Sequence, residues 1–483
     1  MPGFHVEHFG CRAARADGEA VSDRLRVAGF CQQQPAEADV VIVNTCSVTA
    51  EADRAARAFI RRSHRLNPTA KIVVTGCYAQ RAPQELAAIV GVAAVIGNSH
   101  KALAPEIILG LAANQPAPIE SNLVSVASLL SSTAPIWADD RFAHSFLEEA
   151  QLVPGAQTRP NLKIQEGCNN RCTFCVIPQT RGNSKSLPAA SILKQVQGFV
   201  EVGGNELVLS GINLGRWGRD LHSSNVPAST PQTLAELVRH ILTQTALPRL
   251  RLSSIEPMDW NAELIALMAE FANPATGNLR LARHAHLPLQ SGSDGVLRRM
   301  HRRYRPWHYA DKVAALLRAC GPLLTLGADV MVGFPGETDA EFEETYTLVQ
   351  SLPFGYLHLF PFSPRPATPA WAMHAENPVP TALVEERMAA LRALAAEKTL
   401  AHRRSLLGQE LQAITLHSPA DLHARDRTTA LTENFLPVEI EADLPANQLV
   451  RIVANSLNAD GTLCATLPAH SSTENTSAAL CCG

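Results

Sequence analysis

Short strand-like runs alternate with helical stretches along most of the 483-residue chain. A series of such βα units folds in few ways: the strands pair in parallel and the helices cover the sheet. In the first part, ADVVIVN (38 to 44), a polar Arg-rich helix from Glu51 to Arg65 and AKIVVTG (70 to 76) are followed by VAAVIGN, which ends at Asn98. Six more runs follow: LKIQ (162 to 165), ELVLSG (206 to 211), RLRLSS (249 to 254), HAHLPL (284 to 289), GADVMVGF (327 to 334) and YLHLFPF (356 to 362). Each but the last leads into a helical stretch such as AELIALMAEF (262 to 271) or YADKVAALLRAC (309 to 320). Six units predict a partial β/α barrel whose chemistry sits at the C-terminal ends of the strands. Polar residues gather just past those ends: Gly211 and Asn213, Ser254 and Glu256, Gln290 and Ser291, then Gly336 and Glu337.

Beyond Arg392 the chain stays helical to about Leu406, and LQAITL (411 to 416), LPVEIEA (436 to 442) and NQLVRIVA (447 to 454) then read as a small β-barrel. The expected fold is α/β, with a Rossmann-like parallel sheet in residues 1–130 and a linker in 131–157 that holds Pro135, Pro154 and Gly155. A partial (β/α)6 barrel in 158–395, the small barrel in 396–467 and a disordered tail in 468–483 complete it. Hydrophobic residues at 46% and charged residues at 18% exclude a mostly disordered chain. The longest apolar stretch, the eleven residues from Ala87 to Gly97, is too short to cross a bilayer. With no signal peptide at MPGFHVEHFG, a cytoplasmic protein without a membrane partner is expected, acting as a monomer. Forty-two Lys plus Arg against 45 Asp plus Glu give a formal charge of -3, so any nucleic-acid contact must be local.

Eleven cysteines in such a chain do not read as disulfides, because the cytosol keeps thiols reduced; metal binding or catalysis is the better expectation. The segment EGCNNRCTFCVIPQTRG sets Cys168, Cys172 and Cys175 in a C-x3-C-x2-C loop directly after a strand. Three thiolates at that spacing can hold three irons of a 4Fe-4S cube and leave the fourth iron open. The alternative is a zinc loop short of one ligand, although zinc more often takes C-x2-C pairs in two halves. Phe174, inside the loop, is a packing residue for a bound ligand. Three further cysteines follow strand ends: HFGC gives Cys11, VNTC gives Cys46 and VTGC gives Cys77. Parallel strands would bring them to one edge of the sheet as a second set of ligands; the alternative is ordinary buried cysteines. Cys31, Cys320, Cys464, Cys481 and Cys482 are taken as structural or incidental.

A three-cysteine loop on repeated βα units resembles the radical S-adenosylmethionine superfamily. The resemblance implies that the open iron binds the amino and carboxylate groups of S-adenosylmethionine, and that one electron cleaves it to a 5'-deoxyadenosyl radical. Gly203, Gly204 and Glu206 in VGGNELVLSG resemble the family's Gly-Gly-Glu motif, with Asn205 intervening and a plain Gly-Gly turn as the alternative. MVGFPGETDAEF resembles a later family element, with Gly333, Gly336 and Glu337. Asn213, Ser254, Glu256 and Gln290 are the remaining expected cofactor contacts. More narrowly, VNTCSVT, VTGCYAQ, GCNNRCTFC, HLPLQSGSDGVLRRM, VGFPGETDAEFEET and SPRPATPAWAM resemble the methylthiotransferases of this class, up to about residue 466. That implies a second 4Fe-4S cluster on Cys11, Cys46 and Cys77, which carries sulfur at its own open iron. One S-adenosylmethionine would methylate that sulfur, and a second would yield the radical that abstracts hydrogen from the acceptor carbon. A low-potential electron donor, flavodoxin or ferredoxin, is implied as a partner. The chain departs from the family in CRAARADGEA, where Ala14 stands in place of an Asn and Asp17, Gly18 and Glu19 stand where Asp-Ser-Glu is usual, and at Ala367, where Gly is usual.

RTTALTENFLPVEIE resembles the TRAM domain, an RNA-binding module, with Arg425 and Arg427 as candidate phosphate contacts. Arg54, Arg57, Arg61, Arg62 and Arg65 on one helix, and HRRYRPWHY (301 to 309), are further basic tracts suited to RNA, with a solvated surface as the alternative. LVLSGINLGRWGRDL and RLRLSSIEP look most like the subfamily that acts on threonylcarbamoyl-adenosine beside the anticodon of tRNA, position 37 by tRNA convention. The alternatives are isopentenyl-adenosine in tRNA, an Asp of a small-subunit ribosomal protein, and an iron-sulfur RNA-binding scaffold without chemistry.

Overall fold

A computed structural model describes residues 1–47, 49–113, 134–145, 158–221, 230–273 and 278–468. Six strands form the first sheet, all parallel: β1 (Gly3–His8), β2 (Cys31–Gln32), β3 (Val40–Thr45), β4 (Lys71–Gly76), β5 (Val92–Gly97) and β6 (Ile136–Trp137). All six residues of β3 are buried, as a strand covered on both faces requires. Because side chains alternate across a strand, Val41, Val43, Ile72 and Val74 meet Phe59 and Ile60 of the helix Ala50–Leu66. Val40, Ile42 and Val73 meet Val21 and Leu25 of the helix Arg12–Val27 on the other face. The strand order β2-β1-β3-β4-β5-β6 is the doubly wound order whose direction reverses between β1 and β3, rather than the 3-2-1-4-5-6 order of a Rossmann sheet. β6 lies inside the stretch expected to be a linker: Ile136 and Trp137 pair with Val95 and Ile96, so this stretch supplies the sheet's edge.

The central part contains the six expected strands in order, β7 (Asn161–Glu166), β9 (Glu206–Gly211), β10 (Arg249–Leu252), β11 (His284–His286), β12 (Thr325–Val332) and β13 (Phe354–Pro361), with a short antiparallel β8 (Lys185–Ser186) beside β7. They form two sheets, β10-β9-β7-β8 and β11-β12-β13, joined into one arc where Leu250 bridges Leu281. β11 is short because Pro288 has no N–H and Gln290 turns to φ +64, yet Leu287 and Leu289 still donate to the β12 carbonyls of Gly327 and Asp329 at 2.9 and 3.1 Å. Leu207, Leu209, Leu250 and Leu252 pack outward against Val238, Ile241 and Leu264 of the surrounding helices. Their alternate neighbours on the same strands, Glu206, Arg249 and Arg251, turn inward and are buried as ions.

After the helix Thr381–Ser405, strands β14 (Glu410–Thr415), β15 (Thr428–Thr432), β16 (Pro437–Ile440), β17 (Leu449–Leu457) and β18 (Leu463–Thr466) close into a five-stranded barrel. This barrel sits against the N-terminal ends of the central strands. Arg251 donates to the carbonyls of Thr432 and Glu433, both at 3.1 Å, Arg249 to Gln412 Oε1 at 2.5 Å, and Arg283 is ion-paired with Glu433. Phe435 packs on His284 with the rings tilted and their centroids 4.5 Å apart. No helix among the described residues is long and apolar enough to cross a membrane. The expected tail, with Cys481 and Cys482, falls outside the described residues.

This contact corrects the reading of one candidate motif. Gly203, at φ +83, and Gly204, where a Cβ would lie 2.3 Å from the Phe199 ring, form the turn that enters β9. Glu206 is the first residue of that strand, at the end away from the cysteine loop, and it binds Arg251 at 2.8 Å, Arg249 at 3.1 Å and Arg159 at 3.4 Å. The Gly-Gly-acid string therefore serves the joint with the small barrel rather than the cofactor end.

Burial works against the charge of Glu206, but Arg251, Arg249 and Arg159 outweigh it and pull its pKa down to about 2. A carboxyl group with a depressed folded pKa contributes stability above its unfolded value, and this is lost as pH falls through the folded one. Glu206→Gln should cost about 3 kcal/mol at neutral pH, since it leaves buried guanidinium groups uncompensated. Urea unfolding of the variant should also lose the part of the parent's acid sensitivity that lies between the carboxylate's ordinary pKa of 4.5 and about 2.

Candidate active site

The cysteine loop follows β7 through Gly167, which takes φ +66 and approaches Asn183 so closely that a Cβ would lie 2.0 Å from its carbonyl oxygen. Gln165 holds the turn, donating to the carbonyls of Glu166 and Gly167, both at 2.8 Å, and to Ser184 Oγ at 2.9 Å. The loop is tied to the arc by Thr173, whose N–H and Oγ1 donate to the carbonyls of Met300 and Arg299 at 3.2 and 2.9 Å. Phe174 packs against the apolar group of Val296, Met300, Met331 and Phe334, so it anchors the loop from below.

Four N–H groups point at the sulfurs. Asn170 N–H and Asn213 Nδ2 reach Cys168 Sγ at 3.4 and 3.5 Å, Ile177 N–H reaches Cys175 Sγ at 3.5 Å, and Arg302 Nη1 reaches Cys172 Sγ at 3.4 Å. Burial raises the thiol pKa of Cys168 and pushes that of Cys175 up to about 12. A bound metal ion removes those protons outright, and the N–H donors then have a thiolate to stabilise. Among the described residues, the one set of three metal-ligating groups with all ligand atoms within 4.8 Å of one another is His286, Asp329 and His358. The cysteine sets are wider. A single zinc ion draws its ligands together, whereas a cube takes one thiolate on each of three corners.

Most of the strand-end residues expected from the sequence converge here. Asn213 lies on Cys168, and its Oδ1 is buried without a hydrogen-bond partner. Glu256 binds Arg302 Nη2 at 2.5 Å, which couples it to Cys172. Ser254 Oγ bonds His286 Nδ1 at 3.0 Å, and Gln290, held at φ +64, has a buried Oε1 without a partner. Such orphaned acceptors at the carboxyl ends of strands are what a polar cofactor would satisfy. Glu337, expected near a following helix, accepts from Gly333 N–H and Arg387 Nη1, both at 2.9 Å, and shapes that turn.

The second set also converges. Cys11, Cys46 and Cys77 directly follow or closely succeed β1, β3 and β4, which are neighbours in the sheet and flank its reversal point, the usual place for a ligand. A Cβ on Gly10 would lie 2.9 Å from the Cys46 Cβ, so only glycine lets these two loops touch. Cys11 is exposed, and Cys46 and Cys77 are buried. Asn98 Nδ2 and Arg181 Nε donate to Cys77 Sγ at 3.4 and 3.2 Å. Arg181 ends the helix Ile177–Arg181, which begins two residues after Cys175. The two cysteine sets therefore stand at opposite ends of one five-residue helix, which spans only about 7.5 Å.

Sequence reasoning missed several residues of this region. Arg302 and Tyr304 belong to the basic tract HRRYRPWHY but are buried, Arg302 lying over the Tyr304 ring at 5.0 Å, while Arg303, Trp307 and His308 of that tract are exposed. His286, Asp329 and His358 alternate with apolar residues, and the inward face of each strand was the available signal. On the helix Ala50–Leu66, Arg57 is engaged by Tyr78 and Glu85, whereas Arg54, Arg61, Arg62 and Arg65 are exposed. Arg427 is held by Glu439 at 3.4 Å and Glu441 at 3.1 Å, which weakens it as a phosphate contact; Arg425 is exposed.

Residues 3–97 match the model of an uncharacterised protein family, UPF0004, and residues 162–349 match that of the radical SAM superfamily. The chain is 34% identical to a threonylcarbamoyladenosine tRNA methylthiotransferase MtaB of Bacillus subtilis, over 90% of this chain and 89% of the relative. It is 33% identical to the Thermotoga maritima protein of the same name, over 85% and 86%. A tRNA-2-methylthio-N(6)-dimethylallyladenosine synthase of Novosphingobium aromaticivorans is 32% identical, also over 85% and 86%. Among solved structures, the radical S-adenosylmethionine methyltransferase TsrM of Kitasatospora setae, with cobalamin and a [4Fe-4S] cluster bound, aligns with a TM-score of 0.51 at 15% identity over 78% of each chain, a likeness of fold.

Ala367 explains why glycine is usual at its position: it takes φ +61 while its carbonyl accepts from Gln179 Nε2 at 2.8 Å on the helix between the two cysteine sets. The left-handed conformation costs an L-residue about 1–2 kcal/mol. Ala367→Gly should therefore raise stability by about 1 kcal/mol, read as a higher urea midpoint with an unchanged slope.

Proposed function

Since the chain belongs to the radical S-adenosylmethionine tRNA methylthiotransferases, we propose that it transfers a methylthio group to threonylcarbamoyl-adenosine beside the anticodon, using two 4Fe-4S clusters. The observation that carries this reading is the single short helix between the cysteine sets: Cys175 precedes it, and Arg181 at its far end touches Cys77. A sulfur carried on one set and a radical generated at the other would then share one chamber. When bound, the clusters and S-adenosylmethionine supply sulfur, a methyl group and a hydrogen-abstracting radical. The chain's own residues hold and orient them. Cys168, Cys172 and Cys175 ligate the first cluster, Asn213 and Arg302 donate to its sulfurs, and Ser254, Glu256 and Gln290 present polar atoms to S-adenosylmethionine. Cys11, Cys46 and Cys77 ligate the second.

The acceptor rests on the resemblance of LVLSGINLGRWGRDL and RLRLSSIEP and on the names of relatives such as the Bacillus subtilis protein, and charge in one groove agrees with it. The groove beside Cys172 is lined by Asn170, Arg171, Arg216, His301, Arg302 and Arg303, and also by Glu256 and Asp259, which already pair with Arg302 and Arg216. The exposed Arg171 and Arg303 remain to meet the carboxylate that a threonylcarbamoyl group carries, whereas a dimethylallyl group is apolar and offers them no partner. The small barrel is read as a TRAM-type RNA module at the other end of the arc, with Arg425 exposed to take phosphate. A low-potential donor, flavodoxin or ferredoxin, supplies the electron, and the enzyme works as a cytoplasmic monomer.

Two measurements test this. Anaerobically reconstituted protein should hold about eight irons per chain and cleave S-adenosylmethionine. Cys172→Ala should abolish 5'-deoxyadenosine formation, while the triple variant Cys11→Ala, Cys46→Ala, Cys77→Ala should keep about four irons and still form it. Full iron in the triple variant would remove the second cluster from the proposal. In cells lacking the gene, mass spectrometry of tRNA nucleosides should show loss of the methylthio derivative of threonylcarbamoyl-adenosine. Loss of the dimethylallyl derivative instead would assign the other acceptor, and loss of neither would favour the ribosomal-protein acceptor.

A further inference from the structure

We propose that Arg181 is a positioning residue for the cluster on Cys11, Cys46 and Cys77, donating to one of its sulfurs and raising its reduction potential; this rests on the two-cluster reading above. Arg181 is 1% exposed. Its Nη1 donates to Glu166 Oε1 at 2.7 Å and Asp17 Oδ2 at 3.1 Å, and its Nε donates to Cys77 Sγ at 3.2 Å. Its Nη2 is buried and has no hydrogen-bond partner among the described residues. A buried charged donor left unbonded has lost its water without gaining a partner, so the position calls for one.

The direction of that donor is fixed by the fork. Guanidinium N–H groups are rigid and planar, and Nη2 shares an edge with Nε, the atom on Cys77. The orphan therefore faces the cysteine set rather than the protein interior. Nor can the fork swing away. Lys101 and Lys163 both bridge Asp17 and Glu166, the two carboxylates that grip Nη1, with Lys163 to Glu166 at 2.7 Å and Lys101 to Asp17 at 3.3 Å. All five side chains are buried. A guanidinium so held is a fixed cation with a free N–H beside the sulfurs.

Hydrogen bonds to cluster sulfurs and nearby charge are the protein's means of setting cluster potential. Uptake of one electron adds one negative charge to the cluster and makes or breaks no bond. A buried cation and an N–H···S bond both favour the more negative, reduced state. Removal of Arg181 should thus make reduction harder, and removal of the opposing carboxylate of Asp17 should make it easier.

The experiment uses the full chain with Cys168, Cys172 and Cys175 replaced by Ala, so that only the second cluster loads, reconstituted anaerobically and titrated with a redox mediator while the reduced cluster is followed by electron paramagnetic resonance. With Arg181 intact, about four irons per chain are expected. Adding Arg181→Gln should shift the midpoint to lower potential, Arg181→Lys should shift it less in the same direction, and Asp17→Asn should shift it upward. Opposite signs distinguish electrostatics from loosening, which would move all variants the same way. Unchanged midpoints in Arg181→Gln, or shifts of one sign throughout, overturn the proposal. If Arg181→Gln fails to load iron, Arg181→Lys and Asp17→Asn decide by the same signs. Absence of iron even with Arg181 intact refutes the two-cluster reading, and this inference with it.

Discussion

Five charged side chains, Asp17, Lys101, Lys163, Glu166 and Arg181, are buried where the N-terminal sheet meets the central arc, and the placement of the two cysteine sets depends on them. Burial opposes the charge of Glu166, yet Arg181, Lys101 and Lys163 hold its pKa well below the ordinary value. A buried ion cluster is a poor source of net stability, because desolvation offsets most of the attraction and apolar side chains of equal volume would serve as well. Its value is directional. Lys163 and Glu166 lie on β7, which enters the cysteine loop, and Arg181 ends the helix that leaves it. Asp17 lies on the helix that begins just after Cys11, and Lys101 follows β5. Both ends of one cysteine segment are thereby fixed to the sheet that carries the other.

The opposite end of the arc is organised by a second set of buried ions with a different task. Glu206, Arg249, Arg251 and Arg283 would face an open barrel mouth if Glu433 and the carbonyls of the small barrel did not meet them. Phe435 sits among them, with Arg251 over its ring at 5.4 Å. The small barrel thus occupies the end away from the cysteines. A strand of six residues spans about 20 Å, so under the proposed function an RNA held by the barrel would have to run along the flank of the arc to present a base at the cysteine end. Of the exposed arginines of the helix Ala50–Leu66, Arg54 lies near the start that follows Cys46, whereas Arg61, Arg62 and Arg65 lie toward the end that leads into β4.

How much of this could be read beforehand depends on whether a residue's partner is near it in sequence. ELVLSG coincides with β9 because apolar strands bounded by turns are local signals. The six candidate cysteines were legible for the same reason: Cys11, Cys46 and Cys77 each follow a strand of their own, and Cys168, Cys172 and Cys175 share the loop after β7. Glu206 was misassigned although ELVLSG already put it at the start of its strand: the resemblance to a Gly-Gly-acid string was followed over the rule that chemistry sits at the strands' carboxyl ends. β6 escaped notice because two residues after a proline carry no period. Arg302 and Tyr304 were taken as surface charge and stacking groups; their true partners, Cys172, Glu256 and the carbonyl of Pro288, come from three other units. Buried ion pairs of long sequence separation leave no periodic trace, and here they fix the architecture.

The same long-range contacts distinguish metal chemistry from thiol chemistry at the central loop. A catalytic thiol must be ionised near neutral pH, which calls for an environment that lowers its pKa. Cys175 has the reverse, a thiol pushed up to about 12 by burial, with Cys168 raised as well. Yet the sulfurs are surrounded by N–H donors and by the guanidinium of Arg302, groups that stabilise a thiolate once it exists. These two facts fit a site whose thiolates form when a cation enters and takes them as ligands. The loop is therefore unsuited to act as a nucleophile or redox dithiol by itself, and its surroundings make sense as the second coordination layer of an iron-sulfur centre.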